Sequence, residues 1–247
     1  MSPPTPAIGT IRVFDTPATL AESGAKFLCD RAERSRGRFV VNLSGGSTPK
    51  RLYEALAVPT LLKRFPWDRT HFVFGDERFV PPDDPDSNAH MATEALFARA
   101  PVPPDNIHRV PTVGVTPEQA AEEYQRTLVW LYGGDVLVPD RPLFDVTFLG
   151  VGDDGHTASL IPGQPVLHER TRWVAPVAHG RPEVRITMTY PALESSRAVV
   201  FLLTGEGKRA ILDRLLSGDD TVPAGKLRPH GETLWFADRA AAGRWAG

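Results

Sequence analysis

Short apolar runs alternate along the chain with longer segments whose apolar residues recur at helical spacing. The short runs predict strands at residues 8–14, 38–43, 71–74, 144–149, 173–177, 185–189 and 199–203. Thr16-Pro17 opens the first predicted helix as a capping residue followed by a proline at the first helical position. Its small or apolar residues are spaced by four, at Leu20, Gly24, Leu28 and Ala32. Such alternation is typical of a doubly wound α/β fold with a mainly parallel sheet.

Four more helices follow from the same pattern. They are predicted from SGGSTP to residue 56, in a run that ends near 99, from the capping box at 116–119 to about 132, and from TGEGKR to 216. In open α/β sheets, ligands bind outside the carboxyl ends of the strands. The loops after residues 43, 74, 149 and 203 are therefore the places to look for function.

The composition is that of an ordinary globular protein, with 247 residues, 41% of them apolar, and a formal net charge of −2. We expect one domain over 8–247 behind a proline-rich, disordered arm at 1–7, with a possible small subdomain near 100–140 or 160–195. The charge argues against a nucleic-acid partner, and neither a signal peptide nor a run of ~18 apolar residues suggests a membrane. The single cysteine, Cys29, excludes an intramolecular disulfide and suits a cytoplasmic protein.

The loop SGGSTP has the composition of a phosphate-binding turn. Gly45 and Gly46 allow a tight turn with exposed N–H groups, and Ser47 and Thr48 add hydroxyls. Pro49 is predicted at the first position of the next helix, whose free N–H groups and dipole favour an anion. The spacing differs from that of a P-loop. The alternative is a glycine-rich turn capped by Thr48.

Two further loops supply charge on the same side of the predicted sheet. In GDERFVP, Arg78 offers a planar fork of donors for a phosphate, and Asp76 and Glu77 offer carboxylates for proton transfer or for hydroxyl groups. In TGEGKR, Lys208 is predicted at a helix start, where its charge opposes the helix dipole unless an anion is bound. Taken singly, both loops also fit an ordinary solvated surface.

The turn GVGDDGH has glycines Gly150, Gly152 and Gly155 at the G-x-G-x-x-G spacing of dinucleotide-binding turns. Asp153 and Asp154 in the same turn would repel a pyrophosphate. The turn also lies in mid-chain, and no acidic residue for a ribose follows at the expected distance of about 20 residues. We therefore expect no dinucleotide cofactor.

His156 gives the same turn a different chemistry. We predict it at the start of a helical run, HTASL, where the helix dipole disfavours the imidazolium and leaves the ring able to accept a proton. Asp154 can hold the ring nitrogen that does not react, as a base and its orienting carboxylate require. Alternatively, His156 is a structural cap. No His-x-x-x-His or similar spacing suggests a metal site.

Taken together, these loops resemble the 6-phosphogluconolactonases. The segments that carry the resemblance occur in the same order and span residues 40–238: LSGGSTPKRLYEAL, FGDERFVPPDDPDSNAHM, GVGDDGHTASLIPG, RITMT and PAGKLRPHGETLWFAD. The resemblance implies a Rossmann-like sheet of the sugar-phosphate isomerase and deaminase type that binds no dinucleotide. It also implies hydrolysis of 6-phospho-D-glucono-1,5-lactone to 6-phosphogluconate, the second step of the pentose phosphate pathway.

The same resemblance assigns roles to individual residues. His156 is the expected general base that activates water, Asp154 orients it, and Asp76 is a further acidic residue of the site. The residues expected to hold the substrate are Gly45, Gly46, Ser47, Thr48, Arg78, Lys208 and Arg185. Because a lactone is an activated ester, water and a base suffice, and we expect no cofactor, no metal and no covalent nucleophile. The expected partner is the phosphorylated sugar lactone alone, bound by a monomer without nucleic acid or membrane.

Two alternatives share this fold. A sugar-phosphate isomerase or deaminase needs a second base, and the deaminase pattern resembles GHIAFNEP, with a glutamate. Here the run is GHTASLIPG, no acidic residue follows His156 before Glu169, and Arg78 stands where the deaminases tend to have tyrosine. A non-catalytic sugar-phosphate-binding domain would accompany a DNA-binding or partner domain and would lose the base. No extra basic helical segment is present, and His156 is retained.

Overall fold

The computed structural model describes residues 4–247, so residues 1–3 of the predicted arm lie outside the described part. Its strands are β1 (Thr10–Phe14), β2 (Phe39–Leu43), β3 (Thr70–Phe74), β4 (Asp76–Arg78), β5 (Val146–Leu149), β6 (Val174–Val177), β7 (Arg185–Met188), β8 (Ala198–Leu203) and β9 (Glu232–Asp238). Its α-helices are α1 (Pro17–Arg34), α2 (Ser47–Leu56), α3 (Pro59–Arg64), α4 (Asn88–Ala92), α5 (Pro117–Tyr132), α6 (Tyr190–Glu194), α7 (Arg209–Leu216), α8 (Pro223–Lys226) and α9 (Arg239–Ala242). A π-helical turn, Thr93–Phe97, continues α4.

Six strands form a parallel sheet in the order β1-β9-β8-β5-β2-β3. Successive side chains of a strand point to opposite faces, so each central strand contributes to two hydrophobic layers. In β8, Val199 and Phe201 belong to the layer that includes α5 and α7, whereas Val200 and Leu202 belong to the layer that includes α1 and α2. The doubly wound, mainly parallel α/β fold predicted from the sequence is therefore confirmed.

The local signals at the start of α1 act as predicted. Thr16 caps the helix, its hydroxyl accepting the N–H of Thr19 at 3.1 Å, and the small or apolar positions at Leu20, Gly24 and Leu28 are buried. The prediction for α2 is wrong by two residues. The helix begins at Ser47 behind Gly46, so Pro49 occupies its third position rather than its first.

Two strands escaped sequence analysis, and both matter for the architecture. β9 lies between β1 and β8, in the interior of the sheet. β4 lies in a second, three-stranded antiparallel sheet of order β4-β7-β6, within the segment expected to be a loop. The small sheet is joined to the end of β3 where the Met188 N–H donates to the Gly75 carbonyl at 2.8 Å. It thereby extends the carboxyl edge of the main sheet.

The chain reverses its direction of progress across the sheet between β2 and β5. From β2 it proceeds outward to β3, whereas from β5 it proceeds to β8 on the other side. Loops that leave two such neighbouring strands diverge and open a crevice, where α/β proteins bind their ligands. SGGSTP follows β2 and GVGDDGH follows β5, so the fold places these two segments on either side of the crevice.

Neither a membrane-spanning helix nor a metal-binding cluster occurs within residues 4–247. No helix within 4–247 combines the length and apolar character needed to cross a bilayer. Over the same residues, no group of three or more histidine, cysteine, aspartate or glutamate side chains is placed to hold a metal ion.

Candidate active site

A cavity of about 330 Å³ opens at this reversal point. It brings together residues from four loops that are far apart in the sequence. The predicted site residues that line it are Gly45, Gly46, Ser47, Thr48, Asp76, Arg78, His156, Arg185 and Lys208. Asp154 stands behind this lining, against His156. Asn88 and Thr204 also line the cavity and were not predicted.

The loop after β2 is held in place by a buried tyrosine. The Tyr53 hydroxyl, on α2, donates to the Ser44 carbonyl at 2.8 Å and accepts the Ser44 N–H at 2.9 Å. This bracing fixes the strand end and the start of α2, so that Gly46, Ser47 and Thr48 line the cavity. The free N–H groups and the dipole at such a helix start favour an anion.

Gly45 is required by the close approach of a second loop. A Cβ at this position would lie 1.9 Å from Asn88 Oδ1. Asn88 in turn accepts a hydrogen bond from Arg78 Nη1 at 3.1 Å and donates through Nδ2 to the Asp76 carbonyl at 2.8 Å. Asn88 therefore ties the β4 segment to the glycine loop, and a side chain at position 45 would push the two apart.

Arg78 and Arg185 meet across the small antiparallel sheet. They are direct partners in the register of β4 and β7. Like charges placed opposite each other destabilise a sheet. The Nε of each guanidinium is buried and has no hydrogen-bond partner among residues 4–247. Burial lowers the pKa of Arg185; the charge of Asp76 opposes this shift and that of Arg78 adds to it. Two paired, half-buried and incompletely bonded guanidiniums are the arrangement expected of an anion site.

The two carboxylates of GDERFVP have different surroundings because successive residues of β4 face opposite ways. Asp76 lines the cavity, and its Oδ2 accepts the Ser159 hydroxyl at 2.6 Å. Glu77 is turned toward the start of α4, where its carboxylate accepts the N–H groups of Asn88 at 2.7 Å and Ala89 at 2.8 Å. Glu77 therefore braces the loop, and only Asp76 faces the space where a ligand would bind.

Lys208 reaches the cavity from the start of α7, as the sequence predicted. Its Nζ lies 2.6 Å from Asp153 Oδ1, whose side chain is 80% exposed. An ion pair with so exposed a carboxylate contributes little stability and is readily exchanged for another anion. Across the cavity, the hydroxyls of Thr48 and Thr204 lie 2.8 Å apart and join the loops after β2 and β8.

His156 and Asp154 form the contact that a base and its orienting carboxylate require. Nδ1 of the ring lies 2.5 Å from Asp154 Oδ1, and the His156 N–H also donates to that oxygen at 3.1 Å. The prediction that HTASL begins a helix is wrong. The segment forms a tight turn in which Thr157 and Leu160 make an isolated bridge. In this turn Ala158, with φ 47°, is the one non-glycine residue of positive φ within 4–247.

Arg181 completes this group and was missed in the sequence. It lies in the loop between β6 and β7, and its Nη2 is 2.8 Å from Asp154 Oδ2 and 2.9 Å from His156 Nδ1. Burial raises the pKa of Asp154, but hydrogen bonds from Arg181 and His156 outweigh it and hold the pKa well below its usual value. No sequence pattern indicates this contact, because the residues join only through tertiary structure.

Gly152 explains part of the glycine pattern in GVGDDGH. A Cβ at position 152 would lie 2.0 Å from His156 Nδ1 and 2.7 Å from Asp154 Oδ1. The glycine is therefore needed so that the histidine ring can lie against the backbone of its own turn. The spacing that suggested a dinucleotide serves the placement of an imidazole.

Gly152→Ala is expected to lower kcat about a hundredfold, because displacing a reacting group by about 1 Å has an effect of that size. The side of the cavity formed by the start of α2, Arg78 and Arg185 is untouched, so KM should stay within about threefold. Steady-state kinetics and thermal unfolding of the variant check this, with Gly37→Ala as the control, since a Cβ at position 37 meets no atom within 4 Å. A fully active Gly152→Ala protein would contradict the assignment.

Comparison with known proteins gives a consistent result over the length of the chain. A family model described as glucosamine-6-phosphate isomerases/6-phosphogluconolactonase matches residues 15–235. A 6-phosphogluconolactonase of Nostoc sp. is 42% identical over 215 residues, which cover 86% of this chain and 87% of the relative. A 6-phosphogluconolactonase of Homo sapiens is 38% identical over 253 residues, covering 96% of this chain and 94% of the relative.

Solved structures of related proteins superpose on this chain over nearly its whole length. A 6-phosphogluconolactonase from Trypanosoma cruzi superposes with a TM-score of 0.84 at 28% identity, covering 100% of this chain and 99% of the other. A monomeric glucosamine-6-phosphate deaminase superposes with a TM-score of 0.79 at 22% identity, covering 94% of this chain and 98% of the other. At that identity, the second likeness concerns the fold alone.

Proposed function

The chain belongs to the glucosamine-6-phosphate isomerase/6-phosphogluconolactonase family, and we propose that it hydrolyses 6-phospho-D-glucono-1,5-lactone to 6-phosphogluconate. This reaction is the second step of the pentose phosphate pathway. The observation that carries the proposal is the pairing, in one cavity, of a carboxylate-oriented histidine with two half-buried arginines whose buried Nε atoms lack partners within 4–247. The first suits activation of water, and the second suits a phosphate.

In the proposed mechanism, His156 is the general base. With its Nδ1 proton donated to Asp154, the lone pair on Nε2 is free to take a proton from water as the water oxygen bonds to the lactone carbonyl carbon. The bond from that carbon to the ring oxygen then breaks, and the imidazolium returns its proton to the leaving oxygen. The products are a carboxyl group and a hydroxyl group, and the base is restored.

The phosphate end of the substrate is assigned to the opposite part of the cavity. The start of α2, the Arg78–Arg185 pair and Lys208 would surround the dianion, and Asp76 would accept sugar hydroxyls. Binding energy gained far from the reacting bond then orients the carbonyl carbon toward Nε2. Lys208 exchanges the exposed carboxylate of Asp153 for the phosphate in this scheme.

A specific contact weakens the isomerase or deaminase alternative. Glu169, the first acidic residue after His156, accepts a hydrogen bond from Arg172 Nε at 2.7 Å in the segment before β6. It does not line the cavity. The second base that proton transfer between two substrate carbons needs is therefore not supplied from that position.

The test is a lactone-hydrolysis assay. We expect the pure protein to consume lactone that is generated in situ with glucose-6-phosphate dehydrogenase, well above the spontaneous rate. It should release no ammonia from glucosamine-6-phosphate, which separates the lactonase from the deaminase. A rate equal to the spontaneous one would refute the proposed function.

We also propose that the enzyme works as a monomer in the cytoplasm. The cavity is lined from one chain, which supports activity without a second copy, and Cys29 is a buried free thiol, as suits a reducing compartment. Size-exclusion chromatography with light scattering checks the first point, and fractionation of cells the second.

A further inference from the structure

His156 Nδ1 has two neighbours that make opposite demands on it. Asp154 Oδ1, at 2.5 Å, accepts a hydrogen bond from the ring nitrogen only when that nitrogen carries a proton. Arg181 Nη2, at 2.9 Å, is a donor and can be accepted only by a ring nitrogen without a proton. In the first tautomer Nε2 is free to act as a base, and in the second Nε2 carries the proton and is not.

The carboxylate decides between the two tautomers. Asp154 is ionised, since its pKa is held well below the usual value despite the opposing effect of burial. The carboxylate, at the shorter distance, accepts the hydrogen bond from Nδ1–H. Arg181 then donates to the other carboxylate oxygen, Oδ2, at 2.8 Å. His156 and Arg181 therefore both hydrogen-bond to the carboxylate of Asp154, one at each oxygen.

This sharing has an electrostatic consequence for the base. A carboxylate 2.5 Å from the ring favours the imidazolium, whereas a guanidinium beside the ring disfavours it. From the sequence we expected a helix dipole to disfavour the imidazolium, but no helix begins at HTASL. The Arg181 guanidinium places a positive charge beside the ring, where the positive end of a helix dipole was expected.

We propose that Arg181 is a positioning residue: it holds Asp154 through Oδ2, so that Oδ1 accepts the hydrogen bond from His156 Nδ1–H and Nε2 stays free, and its charge offsets that of Asp154 beside the ring. The inference rests on the proposed role of His156 as the base. Arg181 is anchored by its own loop, because Nη1 donates to the Gly180 carbonyl at 2.8 Å. It does not line the cavity, so it acts through Asp154 and His156 rather than on the substrate.

Other charged side chains near His156 lie in its own turn and on the segments that line the cavity. Asp153 lies in the same turn and is paired with Lys208, Asp76 and Arg78 face the cavity from β4, and Arg185 faces it from β7. These groups keep their places when Arg181 alone is changed. A change in the protonation of His156 in an Arg181 variant therefore reports the loss of this one guanidinium.

The test compares Arg181→Gln, Arg181→Lys and Asp154→Asn with the unaltered protein. The pH dependence of kcat/KM is measured with the spontaneous rate subtracted, and the titration of the His156 ring is followed by NMR. In Arg181→Gln, we expect the acidic limb and the ring titration to move to higher pH by about one unit, a tenfold change in the protonation equilibrium. In Asp154→Asn both should move to lower pH, because the stabilising anion is lost. Arg181→Lys keeps the positive charge, so its profile and ring titration should stay close to those of the unaltered protein.

The matched control is Arg214→Gln, which removes an arginine paired at 2.7 Å with Asp219 on the far surface of α7 and should leave both measurements unchanged. An unshifted Arg181→Gln profile would overturn the proposal, and so would a rise in KM without a shift, since that would place Arg181 on the substrate. If the protein did not hydrolyse the lactone, the proposed function would fail by itself. The NMR titration would then still decide whether Arg181 sets the protonation of His156.

Discussion

His156→Ala is expected to lower kcat about a thousandfold while KM changes less than about threefold. Removing a general base typically costs 10²–10⁴ in rate, and the imidazole is the one group that the proposed mechanism asks to both accept and return a proton. The side chains proposed to bind the phosphate reach the cavity from β4, β7 and α7, so we expect substrate affinity to depend little on the ring. Steady-state kinetics on lactone generated in situ measure both constants.

His168→Ala is a suitable control for this experiment, since that histidine is exposed and lies outside the cavity. It should keep full activity. Added imidazole should restore part of the rate of His156→Ala by entering the vacated space, but should have no effect on the control. A His156→Ala protein that retains more than about a tenth of the normal kcat would exclude the ring as the base.

Lys208→Ala and Arg78→Ala are expected to raise KM for the phosphorylated lactone by about 10- to 100-fold each. A hydrogen bond to a charged group contributes about 1.5–3 kcal/mol, and each 1.4 kcal/mol corresponds to a tenfold change in affinity. Lys208→Ala is the cleaner variant, because the one ion pair of Lys208 within residues 4–247 is with the exposed Asp153. Arg78 also bonds the Asp86 carbonyl at 2.5 Å and Asn88 at 3.1 Å, so its loss loosens the loop as well.

Unphosphorylated glucono-1,5-lactone provides the internal control. If Lys208 and Arg78 hold the phosphate, the variants should convert this substrate with kcat/KM within about threefold of the unaltered protein. The difference between the two substrates then measures the phosphate contacts alone. An unchanged KM for the phosphorylated lactone in both variants would contradict the assignment, and an equal loss on both substrates would indicate a general structural effect.

Much of the fold followed from patterns that act within a few residues. The cap at Thr16, the capping box of α5 and the alternation of apolar runs with helical spacing all depend on neighbours along the chain, and the structure has each of them. The four candidate loops were found for the same reason. Glycine, hydroxyl and charged residues at a strand end carry their chemistry with them, whatever the rest of the chain does.

Two errors had different causes. The apolar run of β9, LWFA, is a strand signal like those of the other strands, but its place in the interior of the sheet depends on pairing with β1 and β8, which are far away in the sequence. HTASL has the composition of a helix start, yet Thr157 instead donates its hydroxyl to the Gly150 carbonyl at 2.8 Å and closes a turn. In HTASL, tertiary contacts outweighed the local preference.

The sequence by itself determined the class of fold, the loops that line the cavity, and the proximity of His156 and Asp154, two residues apart. Only the tertiary structure decided that Arg78 lies opposite Arg185 and that Arg181 shares the carboxylate of Asp154. The physical reason is the range of the interactions. Capping, turns and periodicity act over a few residues, whereas the pairing of β4 with β7 and the position of the β6–β7 loop result from packing and sheet pairing across the whole chain.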